Sequence, residues 1–435
     1  MLCGTDPVKA QGVIRDTEVE SYIKTWSAPV LEAADLDTES IDIILIGSNQ
    51  INAFVAGGNN MFFFTGLLTA TSSVGEVIGV FAHELGHIKG GHLIRGREVL
   101  ENASYQALVS TLLGIGAAIL VGDPGVASGI IGLGQGAAAG QFLSHSRVQE
   151  SSADQAALTY LEDAGINPSG FRSFLQKLES QEVLPASQQV EYIRTHPLTR
   201  KRIDDVSTRI DTSEFATIDY PPEWVDQHAR MKAKLIGYLL PEQIGYHYPQ
   251  ADTSIHAKYA RAIASYRVND YETSLAQMDA LIALEPNNPY FYEIRGQIRR
   301  DYSRLKQAQG DYEKAISLLP PLFSGLIRLD LAHVLLENAK GDRQLILEAE
   351  KNIRLALATE ERSPRAHRLL ATSLGRTGRD AEAKLHLAEE ALLQRNIPYA
   401  KRQARAAQKE LKKDSNEYLR ASDILNYISV LEKNQ

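Results

Sequence analysis

The chain has almost no cysteine: Cys3 is the only one in 435 residues, so no internal disulfide framework can hold the fold. It also lacks an excess of positive charge. With 46 Lys+Arg against 54 Asp+Glu the net charge is −8, which argues against nucleic acid as a partner. Met1 to Ala10 lacks an apolar h-region, so no signal peptide is visible. The abrupt Met1-Leu2-Cys3-Gly4 start fits a chain whose leader has been removed. Scarce cysteine suits the cytoplasm, or an exported protein that does without disulfides. Charged residues are missing from 102–122 and from 125–146, with Asp123-Pro124 between. Each half approaches the length of a membrane span, but Asn102, Gln106, Ser110, Gln135 and Gln141 interrupt them. Gly and Ala dominate there, so the reading is a helical hairpin, packed on its own domain or making peripheral membrane contact through 102–146.

What is present centres on Phe81-Ala82-His83-Glu84-Leu85-Gly86-His87, an HExxH stretch. Ser73-Val74-Gly75-Glu76 reads as a capping box that starts a helix at Ser73. On that helix His83 and His87 share a face and can hold one Zn²⁺ ion. Glu84 is turned aside, where it can take a proton from a metal-bound water. A third protein ligand is still needed. In Ser146-Arg147-Val148-Gln149-Glu150-Ser151-Ser152-Ala153-Asp154, Glu150 and Asp154 lie four apart on one helical face. Glu150 can be the third ligand, and Asp154 can accept the far N–H of a ligating histidine. His92 falls one residue short of the metzincin position, about 100° away on a helix, and reads as an ordinary surface residue.

Upstream, Asp16 to Leu36 has a helical apolar stripe of Val19, Tyr22, Ile23, Trp26, Val30 and Leu31. Three short β-type runs follow, Ile41–Ile46, Ile51–Ala56 and Met61–Phe64, read as a small antiparallel sheet. Its exposed edge can pair with an extended peptide. Downstream stands Thr195-His196-Pro197-Leu198-Thr199-Arg200-Lys201-Arg202. Pro197 can open a helix carrying Arg202; His196 could cap the metal, and Arg202 could steady an oxyanion.

HExxH, then serine-arginine-x-x-glutamate-x-x-alanine-aspartate, then threonine-histidine-proline with an arginine, resembles the zinc metallopeptidase family of HtpX, the CAAX prenyl endopeptidase and Oma-type proteases. Asn52-Ala53-Phe54 with Gly57-Gly58, and Thr65-Gly66-Leu67-Leu68, resemble it too. The resemblance implies one zinc ion per chain on His83, His87 and Glu150, with Glu84 as base. It further implies His196 as a regulatory fourth ligand or transition-state donor, with Arg202 beside it. Asn52, Ala53 and Phe54 are the expected substrate-pairing strand.

From His256 on, a repeat is visible. Tyr292, Gly296, Ala308, Tyr312, Ala315 and Pro320 fit a tetratricopeptide unit, and Pro286 to Pro320 is one 34-residue period. A longer unit follows over Phe323–Ser363 and another over Arg365–Leu392; two last helices would cap the array. The expected architecture is mainly α with a small antiparallel β-sheet. Residues 1–210 would form the metalloprotease domain, 211–254 a connector and 255–435 the helical repeats. Protease plus repeats resembles the periplasmic branch of the family. That implies outer-membrane protein quality control, a polypeptide substrate, and client proteins or assembly machinery bound by the repeats. The rival reading is a chaperone or adaptor working through the repeats, with a latched or structural zinc site.

Overall fold

A computed structural model describes residues 12–92, 147–182 and 190–433. The chain divides into two compact units, Met1–Leu235 and Ile236–Gln435, and the boundary falls within a helix, Pro222–Leu239.

In the first unit Asp16 caps helix α1 (Thr17–Ala33), its Oδ1 accepting the Val19 N–H at 2.9 Å. The predicted stripe, from Val19 to Leu31, is buried. Strands β1 (Val13–Ile14), β2 (Asp42–Ile46), β3 (Ala53–Ala56) and β4 (Asn60–Phe64) form one sheet, in the order β1-β2-β4-β3. The sheet is mixed, not antiparallel throughout: β1–β2 and β3–β4 are antiparallel, but β2 and β4 run parallel. The reason lies in β4. Its Met61-Phe62-Phe63-Phe64 run is apolar on both faces and takes a central place, as fully buried strands do. Gly57 and Gly58, at φ of 62° and 89°, turn β3 back onto β4 and leave β3 outside it.

Helices α2 (Thr65–Ala70), α3 (Val74–Lys89), α4 (Arg147–Asp163), α5 (Ser169–Glu182), α6 (Glu191–Thr195) and α7 (Arg200–Asp211) follow. Ser73 caps α3 as expected, accepting from the Glu76 N–H. The other half of the capping box is replaced. Glu76 accepts from the Ser72 N–H, Ser173 Oγ and Lys177 Nζ, and so ties α3 to α5. Glycines let the helices touch. A Cβ on Gly79 would lie 2.6 Å from Phe171 Cβ, and one on Gly86 would lie 2.8 Å from the Ala153 carbonyl. Thr199, not Pro197, opens α7, because its side chain accepts from the Arg202 N–H.

Among the described residues no helix is long and apolar enough to cross a membrane. The 102–146 hairpin expected from sequence lies outside the described residues.

The second unit stacks helix pairs: Ile255–Arg267 with Tyr271–Leu284, Pro289–Asp301 with Leu305–Leu318, and Gly325–Asn338 with Arg343–Leu357. Pro364–Arg376 with Asp380–Leu393 and Ile397–Glu410 with Asn416–Lys433 complete it. Gly296 makes room for Tyr312, whose ring would be 3.0 Å from an added Cβ; Ala308 and Ala315 are fully buried beside it. Small residues at these positions are what lets one helix of a pair lie against the next.

Because the α3–α5 approach is set by Gly79, Gly79→Ala should lower unfolding free energy by about 1–3 kcal/mol in urea titrations. An unchanged midpoint would show that the two helices are free to part.

Candidate metal centre

Helix α3 places His83 and His87 one turn apart, with their Nε2 atoms 3.1 Å from each other. Helix α4 crosses it and brings Glu150 to both: Oε2 is 3.4 Å from His83 Nε2, and Oε1 is 3.2 Å from His87 Nε2. Four ligands about 2 Å from a zinc ion in a tetrahedron stand about 3.3 Å apart. The two imidazoles stand at that separation, and each is about as far from one of the two Glu150 oxygens. His196 lies beside them, with the four candidate ligand atoms all within 4.8 Å of one another.

His196 ends helix α6. That short helix is fastened to the sheet. The Tyr192 N–H donates to the Ile51 carbonyl at 3.1 Å, and Thr195 Oγ1 donates to Asn52 Oδ1 at 3.3 Å. The Tyr192 ring stacks on His196 at 4.5 Å and 22°. Tyr192 carries no sequence signal beyond standing one turn before His196, and sequence reasoning missed it. Asn52, Ala53 and Phe54 are buried; β3 is the outer strand of the sheet among the described residues.

The centre is closed: His83, Glu84, His87, Glu150 and His196 are all 0% exposed. Glu84 Oε1 lies 3.2 Å from His196 Nε2. Neither oxygen of Glu84 or Glu150 accepts a well-aligned hydrogen bond among the described residues. Buried carboxylates left this way are costly, and a cation held between them removes the cost. Two imidazoles and a carboxylate are also the donor set zinc favours. The residues fit the ion.

Asp154 stands behind the ligands. Its Oδ1 is 3.0 Å from His83 Nδ1, and Arg202 grips both its oxygens, Nε and Nη2 each at 2.7 Å. Arg202 also donates from Nη1 to the Pro197 carbonyl at 2.8 Å, and the same Nη1 is 2.7 Å from Glu150 Oε2. The arginine expected to steady an oxyanion therefore has its donors directed at Asp154, Glu150 and the backbone. The sequence could not show that its fork points to Asp154 and Glu150. His92, read as a bland surface residue, is half-buried with Nδ1 3.2 Å from His87 Nδ1, because the end of α3 bends back.

Burial disfavours charge on His83, but Asp154 and Glu150 outweigh it and raise its pKa to about 9. Burial raises Glu84 to about 8, helped by Glu150 and opposed by His83 and Arg202. Burial would also raise Glu150, yet His196, His83 and His87 hold it well below the usual carboxylate range. Burial is likewise overcome at Asp154, held low by the Arg202 guanidinium and His83.

A family profile described as Peptidase family M48 matches residues 15–210. Over that stretch the chain is similar to a peptidase family M48 domain. That metalloprotease family uses zinc, and the buried cluster of His83, His87, Glu150 and His196 is able to bind a metal ion. Among curated relatives, the chain is 25% identical over 293 residues to the beta-barrel assembly-enhancing protease of Yersinia pestis, covering 65% of this chain and 58% of that one. It is 24% identical over 335 residues to the protein of that name from Escherichia coli K12, covering 75% and 67%. It is 25% identical over 200 residues to the mitochondrial metalloendopeptidase OMA1 of Arabidopsis thaliana, covering 45% and 36%. The chain thus spans little more than half the length of the Yersinia relative.

Arg202→Met should leave the Asp154 carboxylate buried without its guanidinium and cost about 3–5 kcal/mol in urea unfolding of the metal-free protein. The depressed Asp154 pKa adds a pH signature. Its stabilisation is complete above the unfolded value of about 3.9 and is lost as pH falls through the lower folded value. Asp154→Asn should therefore flatten the decline of stability below about pH 4, and an unaltered decline would rule out this pairing.

Proposed function

We propose that this chain is a zinc-dependent endopeptidase of bacterial envelope quality control. The observation that carries the reading is the buried cluster of His83, His87, Glu150 and His196, with the Glu84 carboxylate beside His196. His83, His87 and Glu150 hold the metal, and Asp154 orients His83. A zinc ion so held supplies a water of pKa about 7 and a Lewis acid for the scissile carbonyl. Glu84 takes the proton of the attacking water and passes it to the leaving amine. His196 faces the developing oxyanion as a donor. Arg202 acts through Glu150 and Asp154, which it keeps charged and in place.

An extended client adds as a strand beside Asn52, Ala53 and Phe54, through backbone pairing at β3. The helix pairs of the second unit bind client or partner segments along a groove, as stacked repeats do. The relatives named for β-barrel assembly support placing this activity in the periplasm, with outer-membrane clients or assembly machinery as partners.

A second reading is favoured by one contact. His196 Nε2 lies 3.2 Å from Glu84 Oε1 in a fully buried site, so His196 can latch the base and close the fourth metal position. A latched protein works mainly as a chaperone or adaptor until it opens.

Glu84→Gln should retain one zinc per chain by metal analysis and lose casein cleavage at least a hundredfold; undiminished proteolysis would end the hydrolase assignment. His196→Ala separates the two roles. Faster self-cleavage marks a latch, whereas a drop in kcat with zinc retained marks the oxyanion donor.

A further inference from the structure

The end of helix α3 contains a device beyond the metal ligands. Gly91 has φ of 63°, which ends the helix in a left-handed turn. The turn is closed by two backbone bonds, Gly91 N–H to the Ile88 carbonyl at 3.1 Å and His92 N–H to the His87 carbonyl at 3.0 Å. The second bond folds His92 back over the helix end. Its ring then sits 5.3 Å from the His87 ring, inclined at 70°, with the Nδ1 atoms 3.2 Å apart. Gly90 makes the space, since a Cβ there would lie 2.6 Å from His92 Cε1.

The two nitrogens of His87 thus face different ways. Nε2 faces His83 and Glu150; Nδ1 faces His92. An imidazole that gives its Nε2 lone pair to a metal carries its proton on Nδ1, and ligating histidines donate that proton to an outer partner. His83 has such a partner in Asp154, 3.0 Å from its Nδ1. Resting on the metal-centre reading above, we propose that His92 is the corresponding positioning residue for His87. It accepts the Nδ1–H of His87 at its own Nδ1, and so fixes the tautomer and ring angle that present Nε2 to zinc. Gly90 and Gly91 are the backbone requirement for that contact.

The test is zinc affinity, measured on the full chain by competition with a chromophoric chelator, independently of proteolysis. His92→Ala removes the acceptor and should weaken zinc binding about 10–100-fold. His92→Asn puts an oxygen close to where Nδ1 stands and should restore affinity to within about threefold. Two results would overturn the proposal. In one, His92→Ala binds zinc as tightly as the wild type. In the other, Ala and Asn variants lose affinity equally, which would mark His92 as packing only. Glu150→Ala serves as the separate check on the centre itself: unaltered zinc binding there would refute the ligand set, whatever His92 does.

Discussion

A buried carboxylate must be paired or bound to a cation, and the first unit is arranged around meeting that demand. Asp154 and Glu150 project from one face of α4 into a region with no exposure to solvent. Arg202, delivered by α7, grips Asp154 with two 2.7 Å hydrogen bonds and stands equally close to Glu150. Removing either helix would strand charge in the interior. The same guanidinium fixes the backbone just after His196 through the Pro197 carbonyl. One side chain therefore couples Glu150, Asp154 and the segment bearing His196.

That coupling explains why α3 can be so apolar and still carry chemistry. Val77, Ile78, Val80, Phe81 and Leu85 pack it into the core, while His83 and His87 face Glu150 of α4 and Glu84 faces His196. The close approach at Gly86 and Ala153 keeps the two helices near enough for carboxylate and imidazole to meet. A wider crossing would carry Glu150 away from His83 and His87. The sheet contributes at a distance: Ile51 and Asn52 hold α6, and α6 sets where His196 enters.

The sequence alone brought His83 and His87 onto one face, because HExxH is a local helical spacing. It also determined the candidates Glu150, Asp154, His196 and Arg202, since each stands in a short pattern whose parts are adjacent in the chain. The stripe of α1 and the small-residue positions of the repeats were legible for the same reason: side-chain periodicity follows backbone period. Only the tertiary structure decided how these pieces meet. The parallel pairing of β2 with β4 depends on which strand buries both faces, a comparison no single strand contains. The inward aim of Arg202 depends on where the Asp154 carboxylate lies across the core. The role of His92 depends on a left-handed turn at Gly91 that reverses the chain and brings it back over His87. Contacts set by a helical or strand period can be read along a chain, whereas contacts set by packing exist only once the helices have met.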